Sequence, residues 1–334
     1  MRRIIVVCPG RGSYTRETLH TLSETPSVAV ANTLRAGLGR PTPTEMDAAE
    51  SYVSRLHVAG ENASILTAAC SLADRDRLAG VEICAVVGNS MGWYTALSVA
   101  GALPLADGLR VIETMGQYQA GNVIGGQLVY PLTDADWRPD AAAIAAVDGA
   151  LATIPELWWS IRLGGQAVLG GSTAAINTAL KQLPPRRIGD RDAPFQLPLH
   201  SAFHTPLLAP ASARAGADLA DLAWSAPILP LVDGQGRIWR PRSADPVALA
   251  NYTLTTQVVE PYDFTTSIRV ALAEYAPDAV VLLGPGGNLG GAVAAAMIHD
   301  GWKGVRSKAD FVALQARDPF VLAMARPDQR ALVT

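Results

Sequence analysis

One serine in this chain stands where a hydroxyl becomes a nucleophile. Gly88-Asn89-Ser90-Met91-Gly92 follows directly on the apolar run Ile83-Cys84-Ala85-Val86-Val87 and precedes a helical pattern carrying Tyr94, Leu97, Val99 and Ala100. A strand, a Gly-x-Ser-x-Gly turn and a helix, in that order, hold a serine at the carboxyl end of a strand. The flanking glycines relieve the crowding of the turn. The backbone N–H of Met91, at the start of the helix, points where an oxyanion would form. The chemistry this serves is nucleophilic attack on an acyl group. A glycine-rich turn in which Ser90 only caps the helix is the competing reading.

A serine nucleophile needs a base, and the chain has five histidines: His20, His57, His200, His204 and His299. His20 and His57 fall in helical stretches of mixed polarity and read as solvated. His200 and His204 flank Ser201-Ala202-Phe203 in a loop that follows a strand and precedes Thr205-Pro206. His299 belongs to a C-terminal helix, just before Asp300.

The elements that must position these groups read as an α/β fold. Ile4–Cys8 is a buried strand ending in the loop Pro9-Gly10-Arg11-Gly12-Ser13, and Ile83–Val87 is a second one leading into the serine turn. Continuous apolar strands separated by helices imply a parallel sheet covered on both faces. In such sheets ligands bind at the carboxyl ends of the strands, where the 9–13 loop and Ser90 both fall. Gly121–Gly126 interrupts the pattern. After it come strand Gln127–Tyr130, helix Ala141–Thr153, strands Leu157–Leu163 and Gln166–Leu169, helix Ser172–Leu183 and strand Phe195–Leu199. That order, β-α-β-β-α-β, is ferredoxin-like. The expected organisation is a large α/β-hydrolase-like domain of residues 1–122 and 200–334, with a small ferredoxin-like subdomain, 123–199, inserted. Ala279–Leu283 is a further buried strand of the large domain, ending at Gly284-Pro285-Gly286-Gly287.

Composition narrows the partners. The 334 residues are 49% hydrophobic and 17% charged, enough for a large core. A net charge of −3 gives no electrostatic reason to expect nucleic acid. Cys8, Cys70 and Cys84 lack metal-ligand or CxxC spacing, so no metal site is expected, and buried thiols in a reducing cytoplasm are the reading. The apolar run Ile4–Cys8 is too short for a secretory segment, and no stretch is long enough to span a membrane. A cytoplasmic monomer without membrane contact is expected.

Four motifs then resemble, in order, those of the malonyl-CoA:acyl-carrier-protein transacylases and the acyltransferase domains of polyketide synthases. VVCPGRGSY at 6–14 is similar to FPGQGSQ, and GNSMGWYTALSVAGALPLADGLRVI at 88–112 to GHSLGEYxALxxAGALxxxDALRLV. HSAFHTPLLAPA at 200–211 resembles the AFHSPLMxPA segment that carries the catalytic histidine. Gln257-Val258-Val259-Glu260-Pro261 and Leu283-Gly284-Pro285-Gly286 resemble QLxxP and xxGPG. The likeness runs from about residue 4 to 300 and includes the inserted segment. It implies Ser90 as nucleophile, His204 as general base, the Gln257 carbonyl as the group orienting His204, and the Arg11 and Met91 amides as the oxyanion hole. It further implies a coenzyme A thioester as substrate, an acyl carrier protein as partner, and no metal or redox cofactor.

The chain departs from the family at the acyl pocket. Malonyl-selective members carry an arginine on the helix after the nucleophile, which holds the free carboxylate of the substrate bidentately. Here that segment reads Met115-Gly116-Gln117-Tyr118-Gln119. Methionine cannot pair with a carboxylate, and a buried unpaired carboxylate is costly. Either the acyl group has no carboxylate, which is the favoured expectation, or Arg11 or Arg162 supplies the contact. Arg11 replaces the family's glutamine, Arg162 an asparagine, and Trp93 a glutamate, which implies a reshaped pocket unless Trp93 is a core residue. Phe203 is the residue found in members that select unbranched malonyl.

Other functions stay open at this point. Loss of the arginine is compatible with an editing hydrolase that discharges acyl groups to water. A true α/β-hydrolase would use Ser90, Asp278 and His299 in that chain order. A catalytically idle docking protein is the third alternative. Arg186, Arg187 and Arg191, or Lys303, Arg306 and Lys308, are basic clusters that an acidic carrier protein would favour, or else solvated charge.

Overall fold

The computed structural model describes residues 1–334. Its larger sheet has six strands in the spatial order Ile238–Trp239, Leu231–Val232, Val81–Gly88, Arg2–Cys8, Ala279–Leu282 and Val321–Ala323. All neighbours pair in parallel except the antiparallel edge strand Ile238–Trp239. Ile4, Ile5, Val6, Val7 and Cys8 are wholly buried, as a strand covered on both faces must be. The helices Gly60–Asp76, Leu105–Gln117, Phe264–Tyr275 and Gly290–Asp300 turn apolar faces inward around this sheet and join one large core.

Register places the functional loops. Cys8 lies opposite Gly88, and the Asn89 amide donates to the Cys8 carbonyl at 3.0 Å. The 9–13 loop and the serine turn therefore leave adjacent parallel strands side by side, at their carboxyl ends.

Residues 126–196 build a second sheet. Its order is Tyr262–Asp263, Leu157–Leu163, Gln166–Gly171, Gly126–Pro131 and Phe195–Gln196. The four strands from 126–196 are antiparallel to their neighbours, the strand order of a β-α-β-β-α-β unit. The helices Ala141–Thr153 and Thr173–Gln182 are capped by the side chains of Asp140 and Ser172 and pack onto this sheet around a core of their own. Three features depart from the sequence reading. The last strand ends at Gln196, short of Leu199, because Pro198 has no N–H to contribute to a ladder. A charged hairpin, Arg186–Ile188 with Arg191–Ala193, precedes it. Tyr262–Asp263, from far along the chain, adds a parallel strand to Leu157–Leu163. No helix is long and apolar enough to cross a membrane.

Candidate active site

Ser90 sits at φ +54°, a left-handed conformation that a non-glycine residue holds only under constraint. The constraint is the approach of helix Gly92–Val99 to the strands. A Cβ on Gly92 would lie 2.1 Å from the Cys8 carbonyl oxygen, and one on Gly88 would lie 2.3 Å from the Trp93 nitrogen. Both glycines of the motif are thus dictated by packing. Buried side chains hold the turn from outside. The Tyr262 hydroxyl donates to the Gly88 carbonyl at 2.7 Å, and the Gln257 side-chain amide donates to the Ser90 carbonyl at 3.1 Å. The Tyr94 hydroxyl in turn donates to Gln257 Oε1 at 2.8 Å.

Ser90 Oγ and His204 Nε2 are 2.8 Å apart, and His204 Nδ1 lies 2.5 Å from the Gln257 carbonyl oxygen. A carbonyl only accepts, so Nδ1 carries the proton and Nε2 is left to accept from the serine. A main-chain carbonyl thereby does the orienting that a carboxylate does in a Ser-His-Asp triad. His204 is wholly buried at φ +62°, with its amide donating to the Val258 carbonyl. Burial pulls its pKa from 6.5 down to about 4, opposed only by the bond to Gln257. The ring is therefore neutral at pH 7 and available as a base.

Two pH effects follow. Acylation of Ser90 should rise as His204 loses its proton near pH 4 and then stay flat through neutrality, which a pH–rate profile would show. Stability should change over a different window. Because the folded pKa lies below the unfolded 6.5, the unfolded chain binds the proton more readily in between. His204 thus contributes stability above pH 6.5 that is lost as pH falls toward 4. Thermal melts of wild type and His204→Gln across pH 4–7 should differ in slope by the titration of this one group.

A cavity of about 360 Å³ opens beside the serine. Ser90, Met91, Arg11, Met115, Phe203 and Gln257 all line it. The Arg11 and Met91 amides make no hydrogen bond to another protein group, and Met91 stands at the start of its helix, where the helix dipole favours negative charge. Both residues line the cavity beside Ser90. The Ile112, Val129 and Val168 side chains make much of the remaining wall apolar.

Two expected pocket residues lie elsewhere. Trp93 is wholly buried in the core, its Nε1 donating to Thr253 Oγ1 at 3.0 Å and its ring edge-on to Tyr252. Arg162 is exposed, stacked 4.0 Å over Trp159 and 3.9 Å from Asp263. Its strand neighbours Ile161 and Leu163 face the cavity, so alternation turns Arg162 to the other side. The hydrolase alternative also loses its geometry. His299 is exposed on Asp300 at 2.7 Å, while Asp278 accepts the Arg3 amide. His57, read as solvated, is buried between Tyr14 and Tyr52 and bonded to the Met46 carbonyl. The three cysteines are buried and unpaired, and no group of three or more His, Cys, Asp and Glu is placed to hold a metal.

No family model matches the chain. The polyketide synthase GfsE of Streptomyces halstedii is 31% identical over 188 residues, 52% of this chain but only 4% of that synthase. The malonyl CoA-acyl carrier protein transacylase of Mycobacterium bovis is 27% identical over 311 residues, covering 86% of this chain and 91% of that protein. Among solved structures, the malonyl-CoA:ACP transacylase of Synechocystis sp. PCC 6803 superposes with a TM-score of 0.75 over the whole of both chains at 18% identity. That likeness shows a shared fold.

Proposed function

We propose that this chain, whose homologues and structure neighbours are malonyl-CoA:acyl carrier protein transacylases and polyketide synthases, is an acyltransferase of their type, passing an acyl group through Ser90 to a carrier-protein thiol. The observation that carries the reading is the Ser90 Oγ–His204 Nε2 contact of 2.8 Å, with Nδ1 fixed on the Gln257 carbonyl. His204 takes the Ser90 proton as Oγ attacks the thioester carbonyl of an acyl-coenzyme A. The oxyanion rests on the Arg11 and Met91 amides. The C–S bond then breaks, and the proton leaves with the thiol. In the second half His204 deprotonates the incoming thiol, which attacks the serine ester and returns the hydroxyl. Ser90, His204 and the thiols handle every proton and electron pair, so the scheme calls for no cofactor beyond the thioester. One copy of the chain supplies the whole set of groups, so a monomer suffices.

Discharge to thiol or to water separates this reading from the editing hydrolase. Met115, Phe203 and Val129 present apolar walls, while polar side chains such as Gln127, Gln166 and His200 also line the cavity, so the lifetime of the ester decides between the two readings. The acyl-Ser90 formed from an acyl-coenzyme A should be visible by intact-protein mass spectrometry. It should disappear at least tenfold faster with a phosphopantetheinylated carrier protein than in buffer. No acceleration by any carrier would replace transfer with hydrolysis.

Of the two arginines that could hold a substrate carboxylate, Arg162 has no support, since its side chain lies outside the cavity. Met115 is buried in the wall and brings only a thioether. Arg11 remains.

A further inference from the structure

We propose that the Arg11 guanidinium is the anion receptor of the acyl cavity and selects short acyl thioesters bearing a terminal carboxylate. The proposal rests on the acyl-Ser90 reading above. It reverses the expectation drawn from Met115 alone.

The way Arg11 is held carries the argument. Its Nη1 donates to Gln119 Oε1 at 2.9 Å and its Nη2 to the Leu199 carbonyl at 2.8 Å. Both partners are neutral, no carboxylate comes within 4 Å, and three of the five N–H groups find no acceptor. The fully buried guanidinium of this fold is satisfied differently. Arg35, wholly buried, pairs through Nη1 with both carboxylate oxygens of Glu113 and is also bonded to Asn62 and to the Glu61 and Pro41 carbonyls. Arg11, only partly buried, has no carboxylate in direct contact, and a ligand carboxylate would complete its open donors. Desolvation lowers the Arg11 pKa to about 9, opposed by the Glu61 charge from beyond contact distance, so the charge persists at neutral pH.

The surroundings fit an anion. Gln119 follows Met115 by four residues, so the guanidinium is tied to the same stretch of chain whose position 115 lacks a cation. Gly60 makes room, since a Cβ there would lie 2.5 Å from Arg11 Nη1. His200, next to Leu199, lines the same cavity with its Nδ1 buried and unpartnered. The other cation of the lining, Arg191, is exposed and already stacked on the Phe195 ring at 3.4 Å. One residue would thus supply an oxyanion amide from its backbone and a carboxylate clamp from its side chain.

The test compares Ser90 acylation rates by intact mass, with malonyl-CoA and acetyl-CoA as probes. Wild type should favour malonyl at least tenfold. Arg11→Gln keeps the backbone amide and should cut that ratio at least tenfold while acetyl-Ser90 still forms. Arg11→Lys should keep part of the preference, because a point charge replaces a fork. Equal rates or an acetyl preference in wild type would overturn the proposal without any variant having to fold, and leave the transferase reading standing. A malonyl preference unchanged in folded Arg11→Gln would also overturn it. Failure of both probes to label wild type, when other acyl-coenzyme A thioesters do label Ser90, would exclude a malonyl-sized substrate and overturn it as well. Failure of every thioester would fell the transferase reading itself.

Discussion

Ser90→Ala should abolish the acyl-enzyme, with acylation falling by about 10⁶-fold, the scale on which a serine nucleophile of this kind is lost. No other group stands ready to replace it. Ser13, in the oxyanion loop, already donates its hydroxyl to the Gly10 carbonyl at 2.9 Å. Cys8 ends the neighbouring strand, but it is wholly buried, and burial drives its thiol well above the usual range, away from the reactive thiolate. The change should leave the fold intact. It removes one hydroxyl and leaves His204 Nε2 without its partner, a loss of about 1–3 kcal/mol. Intact-mass spectrometry with an acyl-coenzyme A, beside a thermal melt, checks both halves. An adduct of undiminished rate on the folded variant would mean that another residue is the nucleophile.

The serine turn was legible because the strand, glycines and helix that shape it are local. Strand, turn and helix follow one another within twenty residues, and the two glycines are required by contacts between the strand's end and the helix's start. The apolar run of residues 4–8 was legible for a similar reason, since a strand covered on both faces leaves no polar alternation to misread. The groups that hold the turn were not. Tyr262 and Gln257 reach the turn from more than 160 residues away, and no spacing in the chain announces such a contact. Tyr94 is near in sequence, but its partner is Gln257, so its role appears only once the chain has folded.

The pocket errors have a common cause. A position aligned beside a motif gives the backbone's neighbourhood, not the side chain's direction. Trp93 and Tyr94 are consecutive on one helix, about 100° apart, and only Tyr94 faces the cavity. Ile161 and Arg162 are consecutive on one strand and face opposite ways. Arg11 is long enough to escape this limit. Its backbone lies in the oxyanion loop while its guanidinium contacts residues 119 and 199.

His204→Ala should slow acylation by about 10⁴- to 10⁶-fold, the range spanned when members of a nucleophile–base unit are removed one at a time. The serine would remain in its strained turn, beside both oxyanion amides, so some rate above the uncatalysed reaction should persist. What disappears is the only acceptor for its proton. No other histidine can serve. His200 lines the cavity, but no contact joins it to Ser90, and His299 is exposed and bound to Asp300. His299→Ala should accordingly acylate at the wild-type rate. The pH dependence separates loss of the base from general damage. Wild type should be flat through neutrality because His204 already holds its neutral form, whereas the variant must rely on solvent to take the proton and should speed up steadily as pH rises. A His204→Ala variant with an unchanged rate, or a loss on His299→Ala instead, would move the base elsewhere. The 2.8 Å contact would then be a structural hydrogen bond, and the Gln257 carbonyl would be holding a ring that takes no proton.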